Sequence, residues 1–558
     1  MFENPVKVVE VFSRSELIQE LYLIDELVKS YHLYAAGFMS YEAGSAFDQT
    51  LKVKDDDFPL MWFGLYNSFQ EISSIGCGYE GIPEIKWKSE LKYDEYLKKL
   101  AIIKKHIEQG ETYQVNYTFR LRAAFSTDPW LYFNALAGND DPPFAAFINS
   151  HKYSICSFSP ELFYKLDKNL LLSRPMKGTI SRHPAYCEDM IQGRALRSCL
   201  KNRAENVMIT DMVRNDMGRI ADAGSVKVTG LFGLEKYPTV WQMTSQVRCT
   251  TRAGVPSIMK ALFPPSSITG APKSSTMEII SALEVSPRRI YTGSIGYFGP
   301  NRQSQFNVAI RTVLVNKEKS QAEYGTGGGI VWDSTPQSEW EECRSKSRSL
   351  HRLNPEFSLL ETMLWTPEGG YHLLGAHLER LKTAAAYFCF YVDIEGVKCK
   401  LEDYSADLPY GCCKIRLLTD KKGRVRIERA ELENIIGPIH LSPAQKPINS
   451  SDPFVFYKTT HRRVYDDALP VSPEADSVIL WNEKGQVTES AAANLVARID
   501  NILCTPPVRC GLLAGTYRQF LLGSGMVCER AIYLEELKSC PEVFLINSVR
   551  GFVRTQLI

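Results

Sequence analysis

Several ionisable residues stand where the surrounding sequence is apolar or turn-forming, and each type suggests a chemistry. Lys177 lies in SRPMKGTIS, shortly after Glu161 in SFSPELFYK. A lysine taken out of water has a lowered pKa and can act as base or nucleophile. A lysine snorkelling to solvent from a strand end would explain the same residue without chemistry. Glu205 sits in KNRAENVMITDMVRNDMGRIA, where Ala204, Met208 and Met212 share a helical face. Glu339 and Glu342 in SEWEECRSKSRSL are neighbours on a helix surface by their spacing. Carboxylates drawn from two helices could hold Mg²⁺ together with substrate and water, while a solvated acidic face is the plainer alternative. SSITGAPKSSTMEIISALE places small residues and then Pro272 at a helix start, whose backbone N–H groups suit a carboxylate. EYGTGGGIVW brings Gly327, Gly328 and Gly329, which allow close backbone approach or merely form a turn. Arg311, inside the apolar run FNVAIRTVLV, needs an anion from the protein or from a ligand.

The second half repeats the pattern with other residues. Lys458 follows a strand-like apolar run in FYKTTHRRVYDDA. LWNEKGQVTESAAANLVARID predicts a hairpin turning at Lys484 and Gly485 and carries Glu489 and Asn494. CGLLAGTYRQFLL puts Gly515 and Thr516 at a helix start suited to phosphate. Two hairpins and a surface helix would describe the same residues with no chemistry.

These residues need large bodies to hold them. At 558 residues the chain exceeds what one hydrophobic core fills. A hydrophobic content of 44% is ordinary for globular chains. The 65 basic and 64 acidic residues give a net charge of +1, which excludes a broadly polycationic nucleic-acid binder. No basic n-region precedes an apolar run and no stretch reaches a membrane span, so we expect a cytoplasmic protein with no membrane contact. The 14 cysteines lack CxxC pairs and are expected to be reduced thiols. Helical and strand periods interleave with few short βαβ units, which favours α+β architecture with partly antiparallel sheets. Tyr96, Leu100, Ile103 and Ile107 predict a helix that Gly110 ends, and TYQVNYTFRLRAAF predicts an alternating strand. The seam HRLNPEFSLLETM predicts domains at 1–353 and 358–558 joined by a linker at 354–357.

SPELF, RPMKGT, RAENVMITDMVRNDMGR, AGSVKV, SITGAPK, MEII, GSIGYF, AIRT and GGGIVWDS resemble, in order and spacing, the chorismate-utilising enzymes. That family includes anthranilate synthase, isochorismate synthase and aminodeoxychorismate synthase component I. The resemblance implies a large two-sheet α/β sandwich and a Mg²⁺-dependent chorismate site. Glu205 and Glu342 match the metal carboxylates, with Glu339 as an additional candidate. Arg311, Tyr291, Thr269 and the Gly327, Gly328 and Gly329 backbone match the groups around the substrate's carboxylates, with Lys346 as a further partner. Lys177 stands where anthranilate synthases carry Ala, and Gln242 where they carry a His that helps eliminate pyruvate. Lys177 follows the aminodeoxychorismate synthase pattern, and Gln242 supports the same choice because its amide cannot serve as a general base. The implied chemistry is attack of the Lys177 amine at C2 of chorismate with loss of the C4 hydroxyl, assisted by Glu161, then ammonia addition at C4. Asn202 stands where relatives often carry an acidic residue, a departure that loosens the surroundings of the metal. No amidotransferase-type Cys loop occurs in the sequence, so ammonia is expected from a separate glutamine amidotransferase subunit, with free ammonium as the alternative.

FYKTTHRRVYDDA, the Glu489 hairpin, CGLLAGTYRQFLL, LINSVRG and the opening LLETMLW…GGYHLLGAHLERL together resemble class IV aminotransferases, the fold type IV pyridoxal-phosphate (PLP) enzymes. The resemblance implies a two-lobed α+β domain in which Lys458 is the Schiff-base lysine. Glu489 is then the acid at the pyridine nitrogen. Arg380, Gly515 and Thr516 bind the phosphate, Asn494 lies close to the ring, and Asn547 and Ser548 belong to the closing motif. A homodimer through this domain is a further expectation. The family's leading strands are absent or supplied by upstream residues. Fusion to a maker of 4-amino-4-deoxychorismate argues for a lyase that releases pyruvate and leaves p-aminobenzoate, the folate precursor. The alternatives are the same synthase fused to a true aminotransferase, anthranilate synthase component I with a fused aminotransferase, and one half serving only as a scaffold.

Overall fold

The computed structural model describes residues 1–72, 85–140, 142–347, 350, 355–408, 410–432 and 437–558. The expected linker therefore begins outside the described residues, as does the end of the expected helix that precedes it. The chain forms two compact units. The first is Met1–Ile180 with Gly193–Asn354, the second Ser181–Gln192 with Pro355–Ile558.

The first unit is built on two antiparallel sheets. The ten-stranded one runs from Lys7–Val11 through Met61–Tyr66, Tyr34–Met39, Ser294–Gly299, Gln303–Asn307, Leu162–Asp167, Leu170–Arg174 and Val240–Thr250 to Met176–Ser181, with Lys227–Lys236 also paired to Val240–Thr250. The seven-stranded one runs from Gly270–Ala271 through Gln114–Ala124, Gln321–Ile330, Thr312–Asn316 and Tyr153–Ser159 to Phe144–Asn149, with Lys88–Ser89 also paired to Gln114–Ala124. Phe38 and Ile295 of the first sheet pack with Ile155 and Leu314 of the second, which makes a sandwich. Helices cover the outer faces: Arg14–Tyr31 and Val255–Leu262 pack on the first sheet, Tyr93–Glu108 and Lys273–Leu283 on the second.

The Tyr93–Glu108 helix buries Tyr96, Leu100 and Ile103 as the periodicity predicts, and Gly110 beyond it takes φ +74°. Gln114–Ala124 is a strand, but its first seven residues are all buried. Alternation is lost there because both faces are covered: Val115, Tyr117 and Phe119 pack with helix residues, and Thr118 and Arg120 meet Glu284. The glycines of EYGTGGGIVW also lie in a strand, Gln321–Ile330, and not in a turn.

In the second unit a four-stranded sheet orders Gly370–Tyr371, Leu359–Thr366, Cys413–Thr419 and Val425–Ala430. An eight-stranded sheet forms the other lobe, and Val487–Ser490 pairs with both Ser477–Trp481 and Ala493–Ile499, curling that sheet on itself. Each lobe has its own core, around Leu359, Met363 and Leu381 in one and Leu441, Ile479 and Leu495 in the other. Within Ser181–Gln192, Arg182 is paired at 2.8 Å with buried Asp189 and lies over the Tyr387 ring at 4.1 Å. Ala185 and Tyr186 of this segment pack against the core around Leu359 and Leu381. Among the described residues no helix is long and apolar enough to cross a membrane.

Candidate active sites

In the first unit Lys177, Glu161, Glu205, Glu342, Lys346, Glu339 and the glycine strand come within one another's reach, whereas Arg311 and Thr269 are held by other neighbours. Met176–Ser181 carries Lys177, and Gly178 at φ +94° lets that strand pass close to Asn202, which a side chain there would approach to 3.2 Å. Burial lowers the Lys177 pKa, Glu205 opposes that shift, and Lys346 adds to it. Glu161 is 3% exposed, and burial pushes its pKa up to about 7 against the pull of Ser267 and of the Lys177 charge. A lysine with a weakened hold on its proton therefore sits in the field of a carboxyl that titrates near neutrality. Thr179 donates to the Gln242 amide oxygen at 2.9 Å, so Gln242 borders the same strand.

The glycine strand forms the opposite wall, and its lack of side chains is required. A Cβ on Gly327 would lie 2.3 Å from the Tyr117 carbonyl, one on Gly328 3.0 Å from a Glu339 oxygen. On Gly329 it would meet the Gln114 amide nitrogen at 2.7 Å and Lys177 Nζ at 3.2 Å, and on Gly325 the Tyr291 ring at 2.2 Å. Lys346 Nζ donates to the Gly327 carbonyl at 2.8 Å and pairs with Glu342 at 2.7 Å.

The helix Pro336–Ser347 bears Glu339, Glu342 and Lys346. Burial raises the pKa of Glu205 and of Glu339, whereas Lys346 holds Glu342 below the usual carboxylate range. Glu342 in turn pushes Glu205 and Glu339 up, so these carboxylates repel one another. Their hard oxygens suit Mg²⁺, and a cation would relieve that repulsion. Among the described residues no group of three or more His, Cys, Asp or Glu could together hold a metal ion. Glu205, Glu342 and Glu339 thus do not assemble as a three-ligand cage, and the fit is to one or two carboxylates completed by substrate and water.

Tyr291 is buried with its pKa pushed up to about 12, and Thr269 is fully buried with its hydroxyl turned to the Pro265 and Ser266 carbonyls at 3.4 Å. Arg311 differs from expectation. It is not inside a buried strand but half-buried at φ +51°, just before Thr312–Asn316, with its guanidinium 5.8 Å over the Tyr237 ring. Among the described residues of this unit Arg120 and Arg288 are fully buried, and they share Glu284 at 3.5 and 2.6 Å. Gln114 escaped the sequence reading. It is fully buried, opens its strand, and neither its amide oxygen nor its amide nitrogen has a hydrogen-bond partner in the described structure. A polar residue in a strand buried on both faces was the available signal.

In the second unit one cavity of about 290 Å³ is lined by Arg380, Lys458, Glu489, Asn494, Gly515, Thr516, Asn547 and Ser548, so every residue proposed for that half meets there. Lys458 follows the short turn Pro453–Val455, not a strand, and its carbonyl accepts from Leu360 N–H at 3.0 Å. Burial lowers its pKa to about 8, and Arg380 adds to the effect. Burial pushes Glu489 up to about 7 while Leu513 N–H at 3.1 Å, Tyr465 Oη at 2.8 Å and Asn494 Nδ2 at 3.0 Å hold its oxygens. Gly515 caps the helix Thr516–Gly523, and a Cβ there would lie 1.9 Å from the Asn494 amide oxygen.

Arg380 is gripped by Glu361 through Nε at 2.9 Å and Nη2 at 2.6 Å. His377 bridges the same carboxylate at 2.7 Å to Thr516 Oγ1 at 3.2 Å. Neither Glu361 nor His377 was singled out from the sequence, although a Glu within the apolar strand LLETMLW was a visible anomaly. PLP fits this donor set: a helix N-terminus and an arginine for its phosphate, a held carboxyl for its ring nitrogen, and a weakly basic lysine for its aldehyde.

Residues 79–352 match the chorismate binding enzyme family, and residues 358–558 match amino-transferase class IV. Aminodeoxychorismate synthase of Streptomyces griseus is 40% identical over 269 residues, covering 47% of this chain and 37% of that protein. Aminodeoxychorismate synthase component 1 of Salmonella typhimurium is 38% identical over 270 residues, covering 48% of this chain and 59% of that protein. The chain thus spans about a third to three fifths of the length of these curated relatives. Anthranilate synthase component I from Streptococcus pneumoniae shares the fold at a TM-score of 0.55 and 22% identity, covering 63% of this chain and 91% of that one.

Proposed function

From a chain that joins an aminodeoxychorismate-synthase-like, chorismate-utilising domain to a domain of the class IV aminotransferase family, we propose a bifunctional synthesis of p-aminobenzoate from chorismate. The observation that carries the reading is Lys177, with its lowered pKa and with Glu161 acting on its charge. In the first step the neutral Lys177 amine attacks C2 of chorismate. Glu161, protonated near neutrality, gives its proton to the departing C4 hydroxyl. Ammonia then adds at C4 and expels the lysine. Arg311 and the Gly327–Gly329 backbone orient the substrate's carboxylates, and Gln242, whose amide does not titrate, cannot serve as the base for pyruvate loss at this site. Glu205 and Glu342, with Glu339 near them, are the residues that would hold Mg²⁺, whose charge would stabilise the ring carboxylate. Ammonia comes from a separate amidotransferase subunit in this reading.

In the second step 4-amino-4-deoxychorismate enters the Lys458 cavity. PLP, when bound, supplies the electron sink. Arg380, Gly515 and Thr516 hold its phosphate, and Glu489 holds the proton at the pyridine nitrogen. Lys458, with its pKa near 8, takes the proton from the substrate's C4. Loss of pyruvate then leaves the aromatic product.

The test is chorismate with ammonium, Mg²⁺ and PLP, followed by product analysis. p-Aminobenzoate and pyruvate are expected. Anthranilate would overturn the first assignment. An amino-acid-dependent keto acid with no p-aminobenzoate would overturn the second. Lys177→Ala should stop the first step while supplied 4-amino-4-deoxychorismate is still converted.

A further inference from the structure

We propose that Cys504 and Cys528 form a modification site of the second unit, a dithiol that takes a disulfide from a low-molecular-weight disulfide and staples the segment carrying Gly515 and Thr516. The two sulfurs lie 3.4 Å apart. The residues are direct register partners on the adjacent parallel strands Ile502–Thr505 and Cys528–Glu529. Paired strands run about 4.7–4.9 Å apart. That spacing falls inside the roughly 4.4–6.8 Å Cα separation that a disulfide spans. Closing the bond requires side-chain rotation and leaves the strands in place.

The two thiols differ in the way a two-step exchange needs. Cys528 is exposed and Cys504 is buried. Burial, with the neighbouring thiol, pushes the Cys504 pKa up, and Cys528, being exposed, is the sulfur an oxidant meets first. It attacks one sulfur of an oxidant such as oxidised glutathione, forming a mixed disulfide and releasing one glutathione thiolate. The Cys504 sulfur then attacks the Cys528 sulfur and expels the second. Two protein thiols are oxidised, one small disulfide is reduced to two thiols, and the two protein protons end on the released glutathione.

The staple would close the chain around the helix Thr516–Gly523, whose N-terminus lines the cavity. That helix is already anchored beside the pair. Buried Arg518 donates to the Pro506 carbonyl at 2.8 Å and to the Glu529 carboxylate at 2.5 Å, within two residues of each cysteine. A cross-link at this point removes chain freedom from the unfolded segment and stabilises the lobe that seats the phosphate.

The experiment uses the full chain, reduced and then exposed to oxidised glutathione, with free-thiol titration, peptide mapping and thermal unfolding. Two thiols should be lost, a linked Cys504–Cys528 peptide should form, and dithiothreitol should restore both thiols. The unfolding midpoint of the second unit should rise by on the order of 5 °C. Cys528→Ser and, separately, Cys504→Ala should remove both the linked peptide and the shift. The proposal is overturned by a glutathione adduct on Cys528 that never converts, by linkage of Cys528 to another cysteine, or by a linked chain with an unchanged midpoint.

Discussion

Replacing Glu361 by Gln would remove one charge from the second unit and should affect both its stability and its cofactor. The carboxylate is 2% exposed, takes two hydrogen bonds from Arg380 at 2.9 and 2.6 Å, and meets His377 at 2.7 Å. Burial alone would raise its pKa, yet Arg380 and His377 hold it at about 2 against an ordinary 4.5. At about 1.4 kcal/mol per pKa unit that difference is worth about 3 kcal/mol of folding stability. The stabilisation is complete above the ordinary carboxylate value of 4.5 and is lost as pH falls toward about 2. Gln keeps the shape but leaves the half-buried Arg380 without its counter-charge, and breaking a fully buried pair costs about 3–5 kcal/mol, which bounds the loss from above. Amide hydrogen exchange of Leu359–Thr366 and Leu374–Phe388, read by mass spectrometry, isolates this unit from the other. At pH 7 the opening free energy should fall by about 3 kcal/mol in E361Q, and the gap to the unaltered chain should narrow steadily in acid. PLP affinity should weaken as well, because Arg380 loses the partner that aims it. Equal protection at neutral pH, or a gap that persists undiminished in acid, would refute this reasoning.

Gly329→Ala should leave the fold intact but cut ammonium-dependent amination at least about tenfold, since the new methyl would press on the Gln114 amide at 2.7 Å and on Lys177 Nζ at 3.2 Å. Amination should also decline as pH rises through about 7, where Glu161 loses the proton it donates. Glu161→Gln should lower kcat by roughly 10²–10⁴ and abolish that limb of the profile. Lys458→Ala should eliminate the visible absorbance of bound PLP. In the unaltered chain capture of the aldehyde should weaken below pH 8, as an amine with a pKa of about 8 becomes protonated.

The motif residues were legible because each breaks a local pattern: Lys177 and Lys458 beside apolar runs, Glu489 in a hairpin, glycines in a row. The Tyr93–Glu108 helix was legible for the opposite reason, since one covered face leaves a clean helical period. Gln114–Ala124 lost its alternation to burial on both sides, so period alone misjudged how deep it lies. Arg311 was read as buried from its apolar neighbours, yet the chain turns at that residue and leaves it half-buried. Gln114, Glu361 and His377 went unread because what singles them out is an unmet or shared hydrogen bond between segments distant in sequence. The role of Ser181–Gln192 in the second unit was equally invisible, since it depends on contacts with residues some two hundred positions away.

The strand Gln321–Ile330 also bears on how such a site can change over generations. At Gly325, Gly327 and Gly329 every substitution adds atoms where ring, backbone or amide already stands, and at Gly328 it presses on a Glu339 oxygen. The first three positions are closed to drift, and the wall they form is a fixed mould. Change in this site then has more room across from the strand, at Lys177, than in the strand itself. The glycines thereby limit which residues are left for selection to work on.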